Sequence, residues 1–270
     1  MFTTEEIFEA FCKILINSTG ITDDMNNSIG TGLYLGLSAV DHSCAPNVNV
    51  VFNGNMVELR AMEDIPDPMW ANVRVDYLSI IQPRQLRQSQ LLRDYFFTCS
   101  CKLCNSSGEE FLISVICDKC SAGVAVSRGK CDACQQDIRS DYQQLSEIFH
   151  HELDNKQLIS TYKRLVKIFH ISDYRMIEFG ERVMSACISE NEFETLLEVA
   201  EHLLQSYREY YHCNSLSLGH HVAKLGKTAI YLNKSSEAHK YLQECLKIFK
   251  LSHGEGSLMY SYICSLRDSL

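Results

Sequence analysis

Cys99-Ser-Cys101-Lys-Leu-Cys104 is the stretch that constrains the fold most, because it places three thiols within six residues. Four more cysteines follow as two Cys-x-x-Cys pairs: Cys117, Cys120, Cys131 and Cys134. Closely spaced thiolates in a reducing compartment favour zinc over disulfides, and the odd total of 13 cysteines argues against complete internal pairing. The two pairs supply the four ligands of a closed, structural zinc site.

The first three thiols need a fourth ligand from elsewhere, because zinc in structural sites is tetrahedral. Cys44 is the best candidate, since it lies in a turn bounded by Gly, Pro and Asn. For the two Cys-x-x-Cys pairs, the alternatives are a redox dithiol or incidental cysteines. Between those pairs, the segment from Gly123 to Gly129 is expected to loop back as a short hairpin.

Composition limits the classes of function. The chain has 270 residues, 46 % of them apolar, and a net charge of −9. Nonspecific binding to nucleic acid or to an anionic membrane needs a basic face, so both are disfavoured, whereas a Lys-rich partner would suit an acidic surface. The sequence shows neither a signal peptide at its start nor an apolar run long enough to span a membrane, which predicts a location in the cytoplasm and nucleus.

Residues 1–98 mix helical and β patterns. Apolar spacing predicts a helix from Glu5 to Ile16 with Thr3 or Thr4 as N-cap, and a second helix at 85–95. Four short segments are β-prone: 32–37, 48–52, 56–61 and 73–77. Asn53-Gly54 between the second and third of them predicts a hairpin turn.

The remaining chain divides at about residue 140. Residues 99–140 hold few large apolar side chains and need zinc to fold. Residues 141–270 show successive amphipathic helices at 142–152, 155–170, 173–189, 192–211, 217–232, 235–251 and 256–269. Small residues near Gly226, Ala229 and Ala238 fit tetratricopeptide-like (TPR-like) stacking, with a generic helical bundle as the alternative. The predicted fold class is therefore α+β, with an all-α C-terminal domain.

The run from Gly30 to Asn47 ends in Asp41-His-Ser-Cys-Ala-Pro-Asn47 and resembles the Asn-His-Ser-Cys-x-Pro-Asn motif of SET-domain methyltransferases. Residues 99–104 resemble the post-SET cysteine pattern. Together with the helical C-terminal region, these motifs resemble the SET-and-MYND (SMYD) family over nearly the whole chain. The resemblance implies a partial SET β-fold at 1–98, since the MYND finger and the Gly-rich start of a SET domain are not found. A strand partner and part of the cofactor pocket are then expected to be missing.

The resemblance also implies roles for individual residues. Asp41 and His42 would lie near S-adenosyl-L-methionine, and Cys44 would complete the post-SET zinc site, so about two zinc ions are expected per chain. Tyr77 would be the catalytic tyrosine that also contacts the cofactor. Tyr95 would line the channel for the target lysine, and Phe97 would pack on the adenine.

The activity implied by the family is S-adenosylmethionine-dependent methylation of lysine in histone or non-histone proteins. One departure concerns Asp41, which stands where the family has asparagine: an ionised aspartate only accepts hydrogen bonds, whereas asparagine also donates them. The alternative function is a non-catalytic, zinc-stabilised module that binds proteins, with a peptide in the TPR-like groove. A nucleic-acid-binding zinc protein is disfavoured by the net charge.

Overall fold

The computed structural model describes residues 2–23, 27–67 and 69–270. The helices are α1 (Thr4–Asn17), α2 (Leu35–Ser38), α3 (Arg84–Tyr95), α4 (Lys102–Asn105), α5 (Tyr142–Ser146), α6 (Asn155–Leu165), α7 (Tyr174–Glu190), α8 (Phe193–Tyr210), α9 (Leu216–Tyr231), α10 (Ser235–Ser252) and α11 (Leu258–Asp268). The strands are β1 (Ser18–Thr22), β2 (Ser28–Leu33), β3 (Val48–Asn53), β4 (Met56–Ala61), β5 (Ser114–Ile116) and β6 (Gly123–Ala125). Consecutive strands pair as antiparallel hairpins, β1 with β2, β3 with β4 and β5 with β6. The predicted α+β class is confirmed.

Helix α1 begins where the sequence predicts. Thr3 is its N-cap: the Thr3 hydroxyl accepts a hydrogen bond from the Glu6 backbone N–H, and the Glu6 carboxylate accepts one from the Thr3 N–H. This reciprocal capping box satisfies two donors that the first turn would otherwise leave open. No residue of α1 is buried, so its apolar face points away from the core of the described chain.

The β predictions are partly right. The hairpin of β3 and β4 turns at Asn53-Gly54, with Gly54 in the left-handed region at φ +60°. The prediction of a strand at 32–37 is wrong, because β2 ends at Leu33 and α2 follows. The prediction at 73–77 is also wrong, since the segment contributes one isolated bridge, between His42 and Val75.

The predicted hairpin at 123–129 is wrong as well. Residues 123–125 form β6, which pairs antiparallel with the preceding strand β5, and residues 126–128 form a 3-10 turn. Strand β5 continues its pairing with the loop after α6: the Ile116 N–H donates to the Ile168 carbonyl, and the His170 N–H donates to that of Ser114. These bonds explain why α6 ends at Leu165 rather than at 170, since the residues after it bond to β5.

The C-terminal region is helical, as predicted, and the other helix bounds agree within three residues except that α5 ends at Ser146 and a 3-10 turn follows. The predicted close approach of helices at small residues is confirmed at Gly226. A methyl group there would lie 2.7 Å from Leu242 Cδ2, so the buried Leu242 side chain would have to shift; glycine lets α9 and α10 pack this closely without that shift. Among the residues that the structure describes, no helix has both the length and the apolar character needed to cross a membrane.

One large hydrophobic core runs from the cysteine-rich region through α11, and a small one, built from Val40, Val48 and Val75, lies below the 41–47 turn. Two asparagines join the β3–β4 hairpin to the loop between α8 and α9. The Asn49 amide donates to the Asn214 carbonyl at 2.9 Å, and the Asn214 amide donates to the Met62 carbonyl at 2.8 Å. The hairpin and the helical region therefore share one boundary, where the candidate site lies.

We expect acid to destabilise the helical region through His221. This side chain is 3 % exposed, stacks on Tyr207 at 4.2 Å between centroids, and donates through Nε2 to the Ala200 carbonyl at 2.8 Å. Burial lowers the pKa of His221 to about 4, below the 6.5 of an exposed histidine. The unfolded chain therefore binds a proton first, so stability falls as the pH drops from about 6.5 to about 4, by about 3 kcal/mol in total.

Urea unfolding at pH 7.5 and pH 5.0 measures this loss. His221→Gln keeps a side-chain donor but does not titrate, so its stability should fall less with acid than that of the wild type, by about 2 kcal/mol at pH 5.0. Equal pH dependence of the two proteins would contradict the assignment.

Candidate active site and metal centres

The turn at residues 41–47 is held against the segment before Tyr77. The Ser43 N–H donates to the Val75 carbonyl at 2.9 Å, and the Val75 N–H donates to the Asp41 carbonyl at 3.2 Å. Asn47 reinforces the pairing, since its side-chain oxygen accepts from the Arg74 N–H at 2.8 Å. The backbone groups of 73–77 are thus used by this turn, which is why the segment does not join a sheet.

Four cysteines meet beside this turn: Cys44, Cys99, Cys101 and Cys104, here called the first cluster. Their sulfurs lie within 4.8 Å of one another, and those of Cys44 and Cys104 are 3.6 Å apart. A disulfide needs about 2.0 Å. Sulfurs bound at about 2.3 Å to a tetrahedral zinc lie about 3.8 Å apart, so this donor set fits a metal ion.

Helix α3 positions the first cluster. The Gln88 side chain forms two hydrogen bonds with the backbone of Cys99, donating to its carbonyl at 2.6 Å and accepting from its N–H at 2.8 Å. The single turn of α4 then carries Cys104 into the buried side of the cluster. Because α3 ends at Tyr95, the same helix also fixes the aromatic residues that precede the cysteines.

Aromatic rings gather around Tyr77. Its centroid lies 5.2 Å from that of His42, 4.9 Å from Tyr95 and 6.5 Å from Phe97. The Tyr77 N–H donates to His42 Nδ1 at 3.0 Å, which leaves His42 Nε2 facing the Cys44 sulfur at 3.2 Å. Burial, with a contribution from the Arg87 charge, lowers the pKa of His42 to about 4, so the ring is neutral at physiological pH.

The Tyr77 hydroxyl donates to the Val40 carbonyl at 2.6 Å. Burial, followed by the nearby charge of Asp41, raises the pKa of Tyr77 above its ordinary value, so the phenol keeps its proton. The Asp41 side chain is 76 % exposed and lies 3.8 Å from the Arg74 guanidinium. The position at which the family has asparagine therefore carries an exposed carboxylate beside an arginine.

A cavity of about 1010 Å³ lies between the 41–47 turn, the first cluster and the loop joining α8 to α9. All four residues predicted to contact the cofactor line it: Asp41, His42, Tyr77 and Phe97. The helical region contributes Tyr210, Tyr211 and His220 to the opposite wall. Tyr95 contacts the Tyr77 ring but is not among the described residues of the cavity wall. The structure therefore brings the predicted residues together. Tyr95 lies behind them, in contact with the Tyr77 ring.

The second cluster consists of Cys117, Cys120, Cys131 and Cys134, whose sulfurs also lie within 4.8 Å of one another. The sulfur distances are 3.5 Å for Cys117 to Cys134 and 3.5 Å for Cys120 to Cys131. Backbone N–H groups of Cys120 and Lys119 lower the pKa of Cys117 to about 7. Both sulfur distances are close to the separation of about 3.8 Å in a tetrahedral zinc site, so this donor set also fits a metal ion.

The two halves of the second cluster share one backbone geometry. Ser121 and Gln135, each the residue after a Cys-x-x-Cys pair, have φ +60°. Their N–H groups donate to the carbonyls of Cys117 and Cys131 at 2.9 and 2.8 Å. Residues other than glycine rarely adopt this left-handed backbone conformation, which costs them about 1–2 kcal/mol each.

Glycine at both positions is therefore expected to stabilise the metal-loaded chain. We expect Ser121→Gly with Gln135→Gly to raise the free energy of unfolding by about 1 kcal/mol, because the relief of strain exceeds the added freedom of the unfolded chain. Thermal unfolding measures the change. Ser127→Gly, at a position without positive φ, is the control and should destabilise. A double variant less stable than the wild type would contradict the expectation.

Sequence reasoning missed Arg87, which is fully buried beside the first cluster. Its guanidinium lies 3.8 Å from the Cys104 sulfur and 2.5 Å from a Glu109 oxygen. The available signal was its spacing from Leu91, since the two lie one turn apart on the buried side of α3. It also left Asn49 and Asn214 without a role, although they join the two walls of the cavity.

Several known proteins that are similar to this chain are named as lysine methyltransferases. No family model matches the sequence. The chain is 23 % identical over 270 residues to the N-lysine methyltransferase SMYD2 of Homo sapiens and 24 % identical over 266 residues to SMYD2-A of Xenopus laevis. It is 26 % identical over 270 residues to the histone-lysine N-methyltransferase SMYD3 of Homo sapiens.

These alignments cover 96–97 % of the chain and 59 % of each relative, so the chain spans about three fifths of the length of the curated relatives it matches. The similarity to SMYD2 and to SMYD3 extends over almost every residue of the chain. It confirms the resemblance to SMYD proteins that the sequence motifs indicate. The chain is therefore similar over nearly its whole length to lysine methyltransferases of the SET-and-MYND (SMYD) kind.

Proposed function

We propose that this chain acts in S-adenosylmethionine-dependent methylation of protein lysines, and that its cavity is where cofactor and lysine meet. The observation that carries the proposal is that Asp41, His42, Tyr77 and Phe97, which come from three separate segments of the sequence, line one cavity. The catalytic role of Tyr77, the cofactor contacts of all four residues, and a lysine channel at Tyr95 are parts of this proposal.

The cofactor supplies a methyl group on a sulfonium. The work of the chain is to position the lysine amine and keep water away, which the rings of Tyr77, Tyr95 and Phe97 suit. The Tyr77 hydroxyl donates a hydrogen bond to the Val40 carbonyl, but its oxygen keeps lone pairs that can accept a hydrogen bond from the amine. The flat face of Phe97 suits the adenine.

We further propose that both clusters hold zinc, about two ions per chain. The first cluster comprises Cys44, Cys99, Cys101 and Cys104, and the second Cys117, Cys120, Cys131 and Cys134. Four thiolates leave no coordination position open, so both ions would be structural. The division into domains at 1–98, 99–140 and 141–270 follows from this, since the middle segment depends on the metal.

The proposed partners follow from charge and shape. A net charge of −9 suits a lysine-bearing protein, histone or non-histone, and disfavours direct binding of nucleic acid or an anionic membrane. A TPR-like groove between the C-terminal helices would suit a peptide. Because such substrates occur in the cytoplasm and nucleus, we propose both as the location of the protein.

A second function, a non-catalytic protein-binding module, is favoured by the surface of α1. Six large apolar side chains of this helix are between 47 % and 67 % exposed: Ile7, Phe8, Phe11, Ile14, Leu15 and Ile16. Contiguous apolar surface on this scale marks interaction sites. A zinc-stabilised SET and TPR-like scaffold would then present that helix to other proteins without catalysing methyl transfer.

Isothermal titration of the zinc-loaded chain with S-adenosylmethionine separates the two functions. Micromolar binding, with transfer of a labelled methyl group to a Lys-bearing protein, would support the enzyme. Tyr77→Phe and His42→Ala should each reduce transfer at least tenfold, whereas Tyr262→Phe, on the surface of α11, should not. A folded, zinc-loaded chain that does not bind the cofactor would support the binding module.

A further inference from the structure

Arg87 is a charged side chain without access to solvent. It is 0 % exposed and lies on the inner side of α3, one turn before the fully buried Leu91. Burying a guanidinium is costly unless it is paired and hydrogen-bonded. A fully enclosed arginine therefore points to a partner that needs its charge.

The partners of Arg87 lie on three sides. Arg87 Nη2 lies 2.5 Å from Glu109 Oε1 and 3.8 Å from the Cys104 sulfur. Arg87 Nη1 donates to the Gln82 carbonyl. Glu109 Oε2 also accepts from the Arg84 N–H at the start of α3, at 3.0 Å. The guanidinium thus bridges a carboxylate and a sulfur of the first cluster.

The charge of a metal-loaded first cluster explains the need for a cation. Four thiolates around one zinc ion carry a net charge of −2, and Cys44 and Cys104 are buried. In the second cluster Cys120 is exposed, so solvent can compensate the charge there.

We propose that Arg87 is a positioning residue that offsets the negative charge of the metal-loaded first cluster, and that Glu109 tunes its strength by competing for the same guanidinium. The proposal rests on zinc binding at that cluster. If the proposal is right, the first cluster needs Arg87 to retain its zinc, whereas the second cluster retains its zinc without Arg87. It also assigns opposite effects to the two members of one ion pair, which a purely structural ion pair would not produce.

The test is a site-resolved measurement of zinc release. The full zinc-loaded chain is mixed with a chelator and a thiol-alkylating reagent, and mass spectrometry follows which cysteines become alkylated. We expect Arg87→Met to release zinc from the first cluster at least tenfold faster and to leave the second within twofold. Glu109→Gln, whose amide oxygen can still accept from Arg84, should slow release from the first cluster about threefold.

Two variants guard the interpretation. Arg175→Met breaks another buried arginine–carboxylate pair, with Asp173, whose described contacts include no sulfur, and should not alter release from the first cluster. If Arg87→Met does not fold, Arg87→Lys carries the test: it keeps the charge but loses the planar fork, so release should accelerate about threefold.

Each outcome has one meaning. Equal effects of Arg87→Met on both clusters, no effect on either, or faster release in Glu109→Gln would overturn the role of Arg87 while leaving zinc binding intact. Wild-type protein without zinc at the first cluster would overturn the metal assignment, and the inference with it.

Discussion

Cys44→Ser is expected to lower bound zinc from about two ions per chain to about one, and to disconnect the turn that lines the cavity from residues 99–104. Cys44 is fully buried, and its sulfur lies 3.6 Å from that of Cys104 and 3.2 Å from His42 Nε2. Without it the first cluster keeps three sulfurs, and a serine hydroxyl is a poor ligand where soft thiolate is preferred. Loss of the metal should cost about 4 kcal/mol or more in the free energy of unfolding.

The effect should extend from the metal to the cavity. Cys44 is the one ligand of the first cluster that comes from the 41–47 turn, so its sulfur connects that turn to α3 and α4. Once the connection is lost, the turn keeps its hydrogen bonds to the segment before Tyr77, and His42 keeps its bond from the Tyr77 N–H, but the thiol link from the turn to residues 99–104 is gone. Binding of S-adenosylmethionine, if the proposed function holds, should then fall together with the zinc content.

Metal analysis after dialysis, together with chemical unfolding, measures both effects. Cys213→Ser is the matched control, because Cys213 is exposed and belongs to neither cluster. It should keep about two zinc ions and wild-type stability. Two tightly held ions in Cys44→Ser would contradict the geometry of the first cluster as a metal site.

The features that sequence predicted well are those set by neighbours in the chain. The cysteine clusters depend on short spacing, so three members of the first and all of the second could be grouped by inspection. Helices α6 to α11 follow apolar periodicity, and the start of α1 follows from Thr3 and Glu6. In each case the interacting residues are close in sequence, so the local pattern carries the information.

The features that sequence missed depend on distant partners. Val73 to Tyr77 alternates like a strand, but its hydrogen bonds go to the 41–47 turn, which no local pattern reveals. Arg87 is buried because Glu109 lies 22 residues further along the chain. Propensity describes the segment alone, whereas these outcomes are decided by which segment it meets.

Asp173 offers the second large effect, and it concerns the junction between the cysteine-rich region and the helices. Its carboxylate is fully buried, accepts from the Ser114 N–H at 3.0 Å and pairs with the Arg175 guanidinium at 2.7 Å. Asp173 is also the N-cap of α7. Since Ser114 begins β5, one carboxylate fixes the strand that leads to the second cluster and the helix that starts the core.

Asp173→Ala is expected to lower the free energy of unfolding by about 3–5 kcal/mol, the cost of leaving a buried charge unpaired. Arg175 would stay against the rings of Phe149 and Phe169 without the carboxylate that pairs with it, and the Ser114 N–H would lose its acceptor. Asp173→Asn should cost less, because the amide oxygen can still accept from Ser114 or cap α7.

Urea unfolding of the zinc-loaded chain, followed by far-ultraviolet circular dichroism, measures these losses. The control is Asp154→Ala, which removes the N-cap of α6 at an exposed position and should cost about 1 kcal/mol. If the two alanine variants lose the same stability, the buried pair contributes no more than a helix cap. A loss at Asp173 several times larger means that the cysteine-rich region and the helical region are joined through this carboxylate and unfold together.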